Sequence, residues 1–242
     1  MMTAVILCGG LGTRLRSVVA DRPKVLAPIE GEPFLGYLLS HLRRQGVTDL
    51  ILSIGHLGEQ VEDYARSGAR WQVRLRYVQE SEPLGTGGAL RLAADTMNLN
   101  EPFLALNGDT FFDGSLDRLT AFDASKQDAR ASLALVEVPN ASRYGIVTVD
   151  PEGGAIRAFI EKQAGHAGPA WINAGVYVLS PALLASIPAE QNVSLERDVF
   201  PRGIGQGLYG CRFPEARFLD IGTPEDYARA PTLLPPLPDN AP

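Results

Sequence analysis

Between Ala4 and Leu106 the chain alternates short apolar runs with segments of helical spacing, and this alternation constrains the fold more than any other feature. Ala4-Val5-Ile6-Leu7-Cys8 is continuously apolar and rich in β-branched residues, as suits a strand covered on both faces. Pro33–Gln45 sets Phe34, Leu35, Leu38, Leu39 and Leu42 at helical spacing and runs into Gly46, a suitable C-terminal cap. Leu50–Ile54 reads as a second buried strand, Gly58–Arg66 as a second helix and Val73–Val78 as an alternating strand. Gly85–Asp95 reads as a helix opened by glycines, and Phe103–Leu106 as another short strand. Such repetition implies right-handed strand–helix–strand units, a mostly parallel sheet and helices on both of its faces.

From Ala131 the texture changes. Ser132–Val138, Gly145–Val149, Ala155–Ile160 and Trp171–Leu179 are strand-like, with Asp150–Gly154 as a turn between two of them. Short helices are expected at Pro181–Ile187 and at Ser194–Phe200, the latter capped by Ser194, followed by a strand at Phe218–Ile221 and a helix at Pro224–Ala230. The expected fold is α/β: a Rossmann-like three-layer arrangement with a mostly parallel central sheet and a small mixed-strand insertion over it. No repeat or linker divides the chain, so residues 1–230 are expected as a single domain. Residues 231–242, with five prolines in twelve positions, are expected as a flexible tail.

Composition narrows the partners. The 242 residues are 45% hydrophobic and 21% charged, enough for a sizeable core, and the formal net charge is −6. A protein lying along a nucleic-acid backbone shows a basic balance, so a nucleic-acid partner is not expected. No apolar stretch approaches a membrane span and none resembles a secretory leader, so a cytoplasmic protein without membrane contact is expected. Cys8 and Cys211 are distant in sequence and His41, His56 and His166 are scattered, so neither a disulfide framework nor a His/Cys zinc site is expected. Cys8, Phe34, Tyr37 and Trp71 are expected as core packing.

A glycine loop follows the first strand. Gly9-Gly10-Leu11-Gly12-Thr13-Arg14-Leu15-Arg16 lacks the Lys-Ser/Thr pair of a Walker A loop, and Leu15 takes the third small position of a dinucleotide fingerprint. What it carries is charge: Arg14, Arg16, Arg22 and Lys24 against Asp21, a local excess of positive charge in an acidic chain. Glycines let backbone amides approach an anion closely, and loops after parallel strands are where α/β sheets bind ligands. The loop is therefore read as a phosphate site, with Arg16 and Arg22 as solvated surface charge.

Gly10-Leu11-Gly12-Thr13-Arg14-Leu15, followed by Pro23-Lys24 and Pro28-Ile29, resembles the opening of the sugar-1-phosphate nucleotidylyltransferases. Arg16–Val19 through Pro33-Phe34-Leu35 most resembles the D-glycero-D-manno-heptose 1-phosphate guanylyltransferases within that superfamily, and the resemblance extends from Ala4 to about Ala230. Cys8 stands where the family commonly has Ala, and Gln163 where many members have Pro.

The resemblance implies attack of a sugar 1-phosphate on the α-phosphorus of a nucleoside triphosphate, with loss of pyrophosphate, here with GTP and heptose 1-phosphate giving GDP-heptose for a cell-surface polysaccharide. It implies Arg14 and Lys24 as the catalytic cations. Asp109, in Asn107-Gly108-Asp109, and Asp220 would be carboxylates for Mg²⁺. Leu7, Gly9, Gly10, Gly12, Thr13, Gly85, Thr86, Gly87 and Gly108 would bind the nucleotide. Tyr144, Gly145, Glu161, Lys162 and Asn173 would bind the sugar phosphate. Ser194-Leu195-Glu196-Arg197-Asp198 resembles guanylyl-transferring relatives and is read as a structural helix. Transfer of a uridylyl, thymidylyl or cytidylyl group to another sugar 1-phosphate stays open, as does an inactive sugar-nucleotide sensor. The oligomeric state is left as monomer or homodimer.

Overall fold

The computed structural model describes residues 2–10, 15, 19, 21–160 and 168–237. Its first half is the expected alternation. Strand β1 (Ala4–Leu7), a short hairpin of β2 (Pro28–Ile29) and β3 (Glu32–Pro33), and helix α1 (Phe34–Arg44) lead into β4 (Asp49–Ile54). Helix α2 (Gly58–Ala65), β5 (Arg74–Gln79), α3 (Gly85–Met97) and β6 (Phe103–Asn107) complete this half. Gly46, just past α1, has a φ of +78°, the left-handed conformation a helix end favours in glycine. Strands β5, β4, β1 and β6 lie side by side in that order, all parallel.

The second half comprises β7 (Thr110–Phe112), α4 (Leu116–Ala124), β8 (Ala131–Val138), β9 (Ile146–Val149) and β10 (Ile156–Ile160). Then come β11 (Ala170–Leu179), α5 (Pro181–Ala185), β12 (Leu208–Phe213), β13 (Phe218–Asp220) and α6 (Pro224–Leu233). The mixed strands join the same sheet, which has nine strands among the described residues. Strand β11 runs antiparallel between β6 and β8, β12 pairs parallel with β8, and the β9–β10 hairpin meets the start of β11. Strand β13 instead pairs antiparallel with β7, facing Asp220 with Thr110.

Alternation along the buried strands sends side chains to both faces. Ala4, Ile6, Leu50, Leu52, Leu104 and Leu106 pack with Leu35, Leu38 and Leu42 of α1 and Val61 of α2. Val5, Ile51 and Ala105 pack with Leu90, Ala93 and Ala94 of α3 and Leu183 of α5 on the other side. A third cluster joins Phe34 and Tyr37 to Phe111, Leu219, Ile221, Ala230 and Leu234. Cys8 and Trp71 are buried as expected.

Two expectations change. The final helix does not stop at Ala230: it runs through Pro231 to Leu233, and Leu234 is buried. Pro231 lies deep enough in the helix that it removes one backbone bond, and the burial of Ala230 and Leu234 in one cluster offsets that loss. Ser194–Phe200 folds as a single π-helical turn, Leu195–Val199, with the Ser194 hydroxyl accepting from the Arg197 N–H at 3.3 Å as an N-cap. Among the described residues no helix is long and apolar enough to cross a membrane.

Candidate active site

Strands β1 and β6 are parallel neighbours, in register from Ala4 against Leu104 to Leu7 against Asn107, so the loops that follow them emerge together. Gly108 donates its N–H to the Leu7 carbonyl at 2.9 Å, and a Cβ there would collide with that oxygen, so the approach requires glycine. Between the loops lies a cavity of about 250 Å³ bordered by Leu7, Gly10, Lys24, Thr86, Gly108 and Asp109. Gly9 sits just behind it, where a Cβ would crowd the Glu80 carboxylate. Gly12, Thr13 and Arg14, with Arg16, lie outside the described residues.

Lys24 opens a 3₁₀ turn directly after Pro23, and its Nζ lies 2.5 Å from Asp109 Oδ2 and 3.5 Å from Asp220 Oδ1. The two carboxylates come from distant parts of the chain. Asp109 follows β6, its carbonyl accepts the Ile221 N–H at 3.0 Å, and the β7–β13 pairing brings Asp220 beside it. The Gly222 N–H donates to Asp220 Oδ1 at 2.7 Å and fixes that carboxylate. The Lys24 side chain is 10% exposed, against 34% for Asp109 and 28% for Asp220, so the ammonium is enclosed while both acids keep some exposure, and Asp109 borders the cavity.

The cluster suits a hard divalent cation. Such an ion takes one or two protein carboxylates and leaves its other positions to water and phosphate. Asn107 lines the same cavity, and its Oδ1 is buried without a hydrogen-bond partner among the described residues, a spare oxygen beside the acids. Cys8 also lines the cavity, but burial and the nearby Asp109 charge push its thiol well above the usual range, so it stays protonated and packs as a small apolar group.

The loop before α3 forms another wall. Gly85 takes a φ of +68°, and the Gly87 N–H donates to the Val193 carbonyl at 2.8 Å. The Val193 N–H returns a bond to the Leu84 carbonyl at 2.8 Å, and Asn192 Nδ2 donates to the Pro83 carbonyl at 2.7 Å. Beneath this loop Glu80 is buried. Its Oε2 accepts the Leu84 N–H at 3.1 Å and its Oε1 accepts the Ser53 hydroxyl at 3.4 Å, while burial raises its pKa. Sequence reasoning passed over Glu80 because a single acid after a strand carries no pattern.

Tyr144, Gly145 and Asn173 come together in a second cavity of about 380 Å³, which Glu196, Arg197 and Phe200 also border. Glu161 and Lys162 lie outside the described residues. The opening arises where β11 changes neighbours. Its Ile172 pairs with Ile146 of β9, whereas from Val176 onward it pairs with β6. Between them the register shifts at a bulge in which Gly175 has a φ of +68° and donates its N–H to Asn173 Oδ1 at 2.9 Å. A Cβ on Gly175 would crowd the Asn107 side chain, so the bulge rests against the residue that precedes Gly108-Asp109. Thr86 of the first cavity donates to Glu196 Oε2 of the second at 2.8 Å, which makes the two cavities neighbours.

The sequence profile of the family described as "Nucleotidyl transferase" matches residues 3–235. A D-glycero-alpha-D-manno-heptose 1-phosphate guanylyltransferase of Campylobacter jejuni is 36% identical over 226 residues, spanning 93% of this chain and 97% of the relative. The protein of that name from Aneurinibacillus thermoaerophilus is 38% identical over 230 residues, spanning 95% and 96%. The crystal structure of HddC from Yersinia pseudotuberculosis complexed with GMP-PN superposes with a TM-score of 0.83 at 34% identity, over 96% of this chain and 99% of that one.

Proposed function

The chain belongs to the nucleotidyl transferase family, and we propose that it joins GTP to D-glycero-D-manno-heptose 1-phosphate, forming GDP-heptose and pyrophosphate. An oxygen of the sugar phosphate attacks the α-phosphorus, a new P–O bond forms, and the bond to the β-phosphate breaks as pyrophosphate leaves. The observation that carries this reading is the convergence of Asp109 and Asp220 on Lys24 beside one cavity, with a second cavity adjoining it across Thr86 and Glu196. The choice of guanine and heptose rests on the relatives, whose names state those substrates.

Reactions of this kind are accelerated mainly by positioning and by neutralising charge on the transferring phosphate. The amides of Gly9, Gly10, Gly12 and Thr13 would cradle the phosphates, and the loop of Gly85, Thr86 and Gly87 would read the edge of the base. Arg14 would clamp two phosphate oxygens of the triphosphate, a task suited to its planar fork. Lys24 would serve as a point charge on the α-phosphate or on the attacking phosphate. On the sugar side, Glu161 and Asn173 would bind hydroxyls and Lys162 the phosphate, beside Tyr144 and Gly145. Asp109 and Asp220 would hold Mg²⁺, which when bound supplies positive charge to the phosphate oxygens. Since Cys8 is buried as a neutral thiol, no covalent protein intermediate is invoked.

A pyrophosphate-release assay tests the reading by crossing GTP, UTP, CTP, dTTP and ATP with heptose, mannose and glucose 1-phosphates, with and without Mg²⁺. Release is expected with GTP and heptose 1-phosphate and is abolished by chelation. Release only with UTP or dTTP and glucose 1-phosphate would overturn the guanylyl assignment. Arg14→Ala and Lys24→Ala are each expected to lower kcat by about a hundredfold or more with the fold intact. Near-normal turnover in either would remove its assigned role.

A further inference from the structure

Glu196 belongs to no group assigned so far, yet it stands where the two cavities meet. Its Oε2 accepts the Thr86 hydroxyl at 2.8 Å and the Ser194 hydroxyl at 2.9 Å. Its Oε1 accepts the fully buried Tyr177 hydroxyl at 3.2 Å. The bonds continue outward on both sides. Thr86 Oγ1 accepts the Leu195 N–H at 2.8 Å, and the Tyr177 oxygen accepts from Asn173 Nδ2 at 2.8 Å. Asn173 Oδ1 in turn accepts the Gly175 N–H in the bulge that rests on Asn107.

We propose that Glu196 is a positioning residue that sets the spacing between the two substrates, one carboxylate oxygen holding the nucleotide-side loop through Thr86 and the other holding the sugar-side bulge through Tyr177 and Asn173. The inference rests on the nucleotidyl-transfer reading of the two cavities.

The direction of every bond follows from this one side chain. A carboxylate has no proton to give, so Thr86, Ser194 and Tyr177 must all donate to it. Tyr177, having donated its only proton, must accept from the Asn173 amide, which leaves Asn173 Oδ1 facing Gly175. An apolar residue at 196 would leave three hydroxyls without this acceptor in a partly buried site, and such groups are costly to strand. Glutamine has nearly the shape of glutamate but breaks the pattern. If its oxygen receives Thr86 and Ser194, its amide points at Tyr177, whose proton then has no acceptor. The π-helical turn Leu195–Val199 supplies the geometry, and such turns recur at functional sites.

The test compares Thr86→Val, Tyr177→Phe and Glu196→Gln, which preserve shape while removing or reversing the hydrogen bonds of one side chain at a time. Each is assayed with whichever nucleotide and sugar phosphate the wild type turns over. Thr86→Val is expected to raise KM for the nucleotide, and Tyr177→Phe to raise KM for the sugar phosphate, by about threefold to tenfold each, the effect of one lost hydrogen bond. Glu196→Gln is expected to raise both and to lower kcat. Tyr177→Phe should then cost less in the Glu196→Gln background than it does alone, because one of the two bonds it removes, that to residue 196, is already broken. A merely structural network predicts lower thermal midpoints with both KM values unchanged, and that result, or full additivity of the two substitutions, would overturn the proposal. A wild type that turns over a different pair overturns only the guanylyl reading. A wild type inactive with every pair overturns both.

Discussion

At the scale of single residues, Lys24 and His41 receive opposite treatment from the fold. Lys24 is given two carboxylate partners. His41, on α1 and 9% exposed, is packed against the Phe111 ring at 4.8 Å, with Gln45 Nε2 3.2 Å from its Nε2. Burial is the largest influence on it, Arg44 and Arg217 act in the same direction, Asp113 and a backbone bond oppose them, and the result is a pKa lowered to about 4. An unfolded histidine titrates near 6.5, so between those values the unfolded chain binds the extra proton. His41 therefore contributes stability above pH 6.5 that is lost as pH falls toward 4. Denaturant unfolding at pH 7 and pH 5 should show His41→Leu losing about 2 kcal/mol less than wild type across that interval. Equal losses would mean that His41 titrates in the native protein as it does in the unfolded chain. Legibility at this scale is uneven. Asp109 is readable because it ends an apolar strand. Asp220 ends a strand of only three residues and is recognisable only by resemblance. Glu80 and Glu196 are lone acids whose importance comes entirely from what folding brings to them.

At the scale of elements, pattern identifies the long buried strands and α1, and it passes over β7, α4 and β12. Strand β7 is too short to show a period, and α4 buries only Leu116 and Leu119. Strand β12 is interrupted by Gly210, which weakens its strand signal, yet a Cβ there would strike Leu135 and Val149. The same kind of close approach governs the start of α3. A Cβ on Gly88 would collide with the Gln191 carbonyl oxygen, which belongs to the segment that braces the base-side loop. Gly→Ala inside a helix otherwise gains about 1 kcal/mol, so the experiment has a sign to decide. The collision is with backbone, and Gly88→Ala is expected to lower unfolding free energy by about 1–3 kcal/mol, read from denaturant midpoints. A stabilised variant would show that residues 191–193 yield without cost.

At the scale of the whole molecule, the two textures seen in the sequence do not make two bodies. Strand β11 pairs on one side with β6 of the parallel half and on the other with β8, so one ladder of backbone bonds crosses the boundary. The last strand returns to β7 in the middle of the chain. Calorimetry is therefore expected to show one transition, with the calorimetric and van't Hoff enthalpies equal, and two separate transitions would contradict it. The negative net charge also resolves along the sequence: an acidic chain carries a basic stretch from Arg14 to Lys24, and Lys24 is held between two acids.

That lysine has a consequence for how the protein is made. Asp109 lies 85 positions after Lys24, and Asp220 lies 196 positions after it. Synthesis from the N-terminus lets early segments fold before late ones exist. On the ribosome, the parallel strands and the first carboxylate emerge long before the second. Lys24 and Asp109 are thus both synthesised well before Asp220, and the acid pair is complete only near the end of synthesis. Asp220 reaches Asp109 only through the pairing of β13 with β7, so a strand of three residues ties the middle of the chain to its end.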